Sequence, residues 1–229
     1  ILINIWGVDH FGYVKRLKNA LSELIKDDYI LDIKLTSLVN LIKNGEKLKM
    51  SKRKGNYITM REVTKEVGVD ALRFMMISRN ADKTIDFDFD SLKIKNKDNP
   101  VFYVQYAYAR CMSVLDISKE KIKEIEIDDF KSDYLTLNEE KMLIKYICNF
   151  YNVIKSAAEH FEPHRITNYL YDLSKIFHNY WGLGNIDKKK RIITEDHDLT
   201  KSRLALIKVV SMTINKGLSL LKISSPKSM

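Results

Sequence analysis

Five of the eight residues in Lys47-Leu48-Lys49-Met50-Ser51-Lys52-Arg53-Lys54 are cationic, and glycines flank the run at Gly45 and Gly55. Positive charge concentrated beside flexible backbone suits a polyphosphate. A lysine ammonium is a compact charge with three rotatable donors, so it can follow charge onto a departing pyrophosphate. Leu48 and Met50 alternate with the lysines and can anchor the loop on an apolar floor. A solvated basic hairpin has the same composition, and the run alone does not separate the two.

A second set, Gly7, Asp9 and His10, stands at the end of the apolar run Ile1 to Trp6. That run reads as a strand covered on both faces of a parallel sheet. Val14, Leu17, Leu21, Leu24 and Ile25 then recur at helical spacing, and Ile30 to Leu35 returns as a strand. Strand, turn, helix and strand make a βαβ unit, whose ligands bind beyond the carboxyl ends of the strands. Gly7 permits close backbone approach there. Asp9 can accept from ligand hydroxyls or cap the following helix, and His10 has the alternative of an ordinary loop histidine.

A third set mixes aromatic and cationic groups. Tyr103, Tyr106 and Arg110 share one face of the helix that Pro100 opens, and Phe177 and Trp181 lie one turn apart near another helix end. Such faces bind RNA by stacking, yet tyrosines and tryptophans at helical spacing also serve as packing. No metal site is expected. Asp86, Asp88 and Asp90 match the first ligand positions of a calcium loop, but Ser91 and Lys97 stand where its glycine and bidentate glutamate belong. His160 and His164 are four apart with Pro163 between them, which reads as a surface pair.

The elements that must position these groups fall into two regions. Thr59-x-x-Glu62 is a capping box for a short helix ending near Gly68, and Asp70 starts the next. Ala71, Leu72, Phe74, Met75 and Ile77 make that second helix apolar on most sides, so it should be buried. Residues 85–90 alternate apolar and acidic, an extended segment. The polar stretch Lys93 to Lys97 leads to the cap Asp98-Asn99-Pro100, which sets domains at residues 1–92 and 93–229. Beyond it Val101 to Leu115, Thr136 to Phe161, His164 to Trp181 and Leu199 to Leu221 show helical periodicity, with Thr136-x-x-Glu139 as a second capping box. The expected fold class is α/β followed by an all-α bundle.

The order of the motifs carries more than their composition. Lys49-Met50-Ser51-Lys52-Arg53 resembles the K-M-S-K-S signature of class I aminoacyl-tRNA synthetases, with Arg53 in place of the last serine. With Trp6-Gly7-Val8-Asp9-His10, Val67-Gly68-Val69-Asp70-Ala71-Leu72-Arg73-Phe74 and Asn99-Pro100-Val101-Phe102-Tyr103-Val104-Gln105-Tyr106-Ala107, the chain resembles bacterial arginyl-tRNA synthetases over its whole length. No His-x-Gly-His pattern occurs and the chain starts at Ile1, so the expectation is the C-terminal part of a longer enzyme, inactive alone.

The resemblance implies a Rossmann-like catalytic domain to residue 92, then a helical anticodon-binding domain. It implies ATP-dependent activation of L-arginine, with Mg2+, and transfer to the tRNA for arginine. Lys52 and Lys49 would stabilise the transition state, Gly7, Asp9, His10, Met50 and Ser51 would bind ATP, and Tyr103, Tyr106, Arg110, Phe177, Trp181 and Met229 would contact tRNA. The rivals are another class I synthetase, cysteinyl or methionyl, and a non-catalytic tRNA-binding module.

Composition agrees with a polyanion partner without selecting one. Residues 1–92 hold 16 Lys and Arg against 13 Asp and Glu, and residues 93–229 hold 23 against 17. Both regions are therefore basic. Cys111 and Cys148 lack C-x-x-C spacing and read as buried free thiols of a cytoplasmic protein. No apolar run approaches the roughly 18 residues of a membrane span, and a monomer without membrane contact is expected.

Overall fold

The structure is a computed structural model and describes residues 1–26, 28–48, 50, 57–119 and 131–229. Strands β1 (Leu2–Gly7) and β2 (Leu31–Thr36) pair in parallel, with Leu2 opposite Leu31 and Gly7 opposite Thr36. A 3-10 segment (Val8–Tyr13) and helix α1 (Val14–Leu24) connect them, which is the expected βαβ order. The expected burial of β1 on both faces is not found. Ile5 is 72% exposed, because among the described residues β1 pairs only with β2 and α1 buries no residue against it.

A second sheet has the order β4-β3-β5, formed by β3 (Val39–Lys43), β4 (Glu46–Lys47) and β5 (Ile85–Asp88). The β3–β4 turn is Asn44-Gly45, with φ of 52° and 77°. Two positive φ values give the mirror-image turn that matches strand twist, and asparagine followed by glycine is its favoured pair. In β5 Ile85 and Phe87 point inward; Phe89 does so as well, but as the first residue of α4 (Phe89–Lys93) rather than as strand. The three aspartates are structural. Asp86 accepts from Asn40 Nδ2 at 2.7 Å, Asp88 caps α4 by accepting from Asp90 N at 2.9 Å, and Asp90 accepts from Asn44 N at 2.6 Å.

Helix α2 (Met60–Val67) begins with the expected reciprocal cap. Thr59 Oγ1 accepts from Glu62 N at 3.2 Å and Glu62 Oε2 accepts from Thr59 N at 2.7 Å, which lowers the Glu62 pKa. Helix α3 (Val69–Met76) follows Gly68 and buries Ala71, Leu72 and Phe74.

Among the described residues the remaining helices are α5 (Pro100–Ser118), α6 (Asn138–Cys148), α7 (Phe150–Glu159), α8 (His164–Ile186) and α9 (His197–Leu220). Asn99 caps α5 through Phe102 N and donates to the carbonyls of Leu92 and Ile94. Two expectations shift. The 136–161 run is two helices broken at Asn149, and the acid that caps α6 is Glu140, which accepts from Leu137 N at 3.0 Å, instead of Glu139. The reason is burial: Glu140 is fully enclosed, where Tyr180 Oη at 3.0 Å and Arg203 Nε at 2.7 Å donate to it. Cys111 is buried, which pushes its thiol pKa up, whereas Cys148 is exposed as the last residue of α6.

One apolar interior serves both regions. It runs from Leu41 of β3 through Phe87 and Phe89 into Val104 of α5, Leu173 of α8 and Ile207 of α9. Among the described residues no helix is long and apolar enough to cross a membrane.

Candidate functional site

Lys49, Ser51, Lys52, Arg53 and Lys54 lie outside the described residues. What leads into them is fixed. Leu48 N donates to Leu41 O at 2.8 Å and its side chain packs on the core, whereas Met50, expected as a second anchor, is 47% exposed. The hairpin beneath is tied sideways: Glu66 Oε1 of α2 meets Lys43 Nζ at 2.7 Å and Lys93 Nζ at 2.6 Å, and these two ammonium groups lower the Glu66 pKa.

Gly7, Asp9 and His10 stand together at the carboxyl end of β1. Asp9 Oδ2 lies 3.6 Å from His10 Nε2, and both side chains are exposed. The helix-capping alternative for Asp9 is not realised, since Tyr13 occupies the N-cap of α1 with no side-chain bond. A Cβ on Gly7 would stand against the Asp9 carboxylate, an exposed side chain that is free to turn aside. Beside them Trp6, His10, Tyr13, Arg16, Leu17 and Ala20 line a groove of about 610 Å³.

The aromatic and cationic set assembles around Arg110. Its guanidinium lies 4.3 Å from the Tyr106 ring centre and 5.4 Å from that of Trp181, donates to Tyr106 Oη at 3.2 Å, and reaches His178 Nδ1 at 3.1 Å. His178 Nε2 lies 3.2 Å from the carbonyl of Tyr103. A carbonyl only accepts and a guanidinium only donates, so the ring carries its proton on Nε2 and accepts through Nδ1. Burial, reinforced by the neighbouring Arg110 charge, lowers the His178 pKa to about 4. Neutral His178 therefore holds a charged arginine in place. Tyr103 packs on His178 at 4.5 Å and on Tyr171 at 5.3 Å between ring centres, and burial raises its pKa.

Phe177 does not take the surface position expected of it. It is fully buried, and its ring supports half-buried Trp181 from beneath at 6.0 Å. Met229 is exposed but lines a separate groove of about 540 Å³ with Gly68, Asp70, Asn99, Phe102 and Gln105. Three participants carry no sequence signal of their own. A lone His178 and the buried Glu140 and Arg203 acquire meaning only through partners that are distant in sequence.

Two family models divide the chain. Residues 5–90 match the tRNA synthetases class I (I, L, M and V), and residues 104–229 match the DALR anticodon binding domain. The chain belongs to the family of the DALR anticodon binding domain, here joined to α/β structure of the class I synthetases. Within that class, homology to arginine–tRNA ligases extends over the full chain. It is 42% identical to the arginine–tRNA ligase of Pelagibacter ubique and 44% identical to that of Beijerinckia indica, covering 100% of this chain and 39% and 40% of those proteins. A crystal structure described as an arginyl-tRNA synthetase from Campylobacter jejuni superposes with a TM-score of 0.82 at 34% identity, over 99% of this chain and 47% of that one. The Thermus thermophilus arginyl-tRNA synthetase, 23% identical with a TM-score of 0.69 over 99% of this chain and 41% of its own, shares the fold. The chain thus spans about two fifths of the length of the curated relatives it matches.

Proposed function

We propose that the chain supplies the phosphate-facing loop and the tRNA-docking bundle of an arginine–tRNA ligase, dividing at residues 92 and 93. The observation that carries the reading is Arg110, fixed between Tyr106 and Trp181 by neutral His178 within the stretch matching the anticodon-binding domain. A cation whose donors are already oriented, beside a half-buried tryptophan, suits a loop base and its phosphate.

In the complete enzyme the carboxylate of L-arginine attacks the α-phosphate of ATP and pyrophosphate leaves; a hydroxyl of the terminal adenosine of tRNA then takes the arginyl group and AMP leaves. Positioning and charge stabilisation dominate such chemistry. Lys52 and Lys49 stabilise charge on the phosphates, with Met50 and Ser51 beside them. Gly7, Asp9 and His10 border the adenosine, where Asp9 can accept from ribose hydroxyls. Mg2+ arrives with ATP; among the described residues no group of three His, Cys, Asp or Glu side chains converges to hold a metal. The enzyme acts as a cytoplasmic monomer.

Two measurements test this. In the complete enzyme Lys52→Ala should slow ATP–pyrophosphate exchange by about 10²- to 10³-fold with arginine affinity unchanged, the usual loss for one charge-stabilising donor. The 229-residue chain should bind an arginine tRNA transcript but give no exchange. Failure to bind any tRNA would remove the docking role. Exchange by the chain alone would remove the division of labour.

A further inference from the structure

We infer that the turn Lys188–Arg191 is a second RNA-binding element, built to grip the phosphodiester backbone next to the base held at Trp181. This rests on the tRNA-docking reading above. The turn is four consecutive cations, of which Lys188, Lys189 and Arg191 are exposed and Lys190 is partly so. Among the described residues no ion pair engages the three lysines. Lys190 and Arg191 share a groove of about 400 Å³ with Trp181, Gly184, Asn185 and Val114.

A solvated charge run would be loosely attached, and this one is held from below. Arg203, 3% exposed, donates through one guanidinium nitrogen to Lys189 O at 3.0 Å and Arg191 O at 2.7 Å, while its Nε is engaged by buried Glu140. Arg191 Nε donates to Gly184 O at 3.1 Å, and Asp187 Oδ1 accepts from Lys189 N at 2.9 Å. A Cβ on Gly184 would stand 3.2 Å from Arg191 Cα, so the glycine allows the turn to lie flat against α8. The result is a short 3-10 segment (Lys188–Lys190) whose backbone is fixed and whose ammonium groups are left to solvent, on the rim of the groove that half-buried Trp181 also lines.

Fixed cations beside a stacking platform fit alternate features of one strand, phosphate and base. Lysine, with no planar fork, grips phosphate without reading sequence. The turn should therefore add affinity for any tRNA and no preference for the arginine one.

The test uses the full 229-residue chain with an arginine tRNA transcript, measuring Kd across a salt series. A triple substitution Lys188→Ala, Lys189→Ala, Lys190→Ala is compared with Lys15→Ala, Lys18→Ala, Lys26→Ala, which removes equal charge from exposed positions in and after α1. The expected result is at least tenfold weaker binding for the first triple and little change for the second. The slope of log Kd against log salt should fall by about 0.7 for each phosphate that the first triple no longer neutralises. The relative affinity for arginine tRNA over a non-cognate tRNA should stay within twofold. Equal losses from both triples would reduce the turn to general charge and overturn the inference, as would an unchanged first triple; in either case wild-type binding would leave the docking reading standing. No binding by wild type would sink both. Because Arg203 holds the turn, Arg203→Lys should flatten the salt slope in the same direction under folded conditions, and an unaltered slope in a folded Arg203→Lys chain would count against a positioned grip.

Discussion

Asp70 at the start of α3 and Gln105 in α5 form one hydrogen-bonded pair, Gln105 Nε2 donating to Asp70 Oδ2 at 2.9 Å. The same amide donates to Ser224 O at 2.9 Å, and Asp70 accepts from both the backbone N and the hydroxyl of Ser224. Two motifs 35 residues apart in sequence thus close on a third segment beyond α9. The joint between the α/β region and the bundle is a polar clasp laid over a shared apolar core.

Asp70→Ala should break the clasp at its most connected member. Gln105 is nearly buried and would be left with one partner fewer, and Ser224 would keep only its contact with Gln105. A loss of about 1–3 kcal/mol in urea unfolding is expected, the cost of an unsatisfied polar group. Limited proteolysis should also cut near residue 224 faster than in wild type. A variant unchanged in both would show that the apolar contacts alone hold the joint.

Glu140 and Arg203 are a buried ion pair with neighbours on α6, α8 and the 188–191 turn. Arg203→Leu should destabilise by about 3–5 kcal/mol, because Glu140 is left as an uncompensated buried charge. The double variant Glu140→Leu/Arg203→Leu should recover part of this loss. Denaturant midpoints at equal slope are the measure.

Trp181→Ala should weaken an arginine tRNA transcript by about 1–3 kcal/mol, the worth of one base–aromatic stack, with no change in salt slope. Trp181 also packs on Phe177, so melting must be measured on the same variant. A destabilised chain that binds tRNA normally while folded would make Trp181 a packing residue.

His178 predicts a pH dependence. Its pKa falls from 6.5 to about 4 on folding, so between those values the unfolded chain binds the extra proton. Stability contributed by this residue is complete above about pH 6.5 and is lost as pH falls toward about 4. His178→Gln keeps a donor and an acceptor without a titrating group. Its unfolding free energy should fall less than that of wild type between pH 7 and pH 5, and parallel curves would refute the assignment.

The elements written in local chemistry were the legible ones. The Thr59–Glu62 box, the Asn99-Pro100 cap and the alternation through Ile85 and Phe87 depend on neighbours within a few residues, and each is present. What depended on distant partners was misread. Glu139 and Glu140 are equivalent in spacing arguments, and only Tyr180 and Arg203, 40 and 63 positions from Glu140, select the second. Likewise Phe177 and Trp181 share a helical face by pattern, yet the core claims the first and leaves the second half open. The basic loop was recognisable from residue order, a signal of chemistry rather than of packing.

The reach of the polar clasp also fixes an order of events during synthesis. Arg73 Nε donates to Leu221 O across 148 positions, and Ser224 meets Asp70 across 154. At translation rates of about 5–20 residues per second, the segment around Asp70 must wait on the order of ten seconds for these partners to be made. Throughout that interval α3 is held by apolar contact and by Gln105 alone, so a ribosome that stops before Leu221 releases a chain whose joint still lacks the partners that the last segment brings to Asp70 and Arg73.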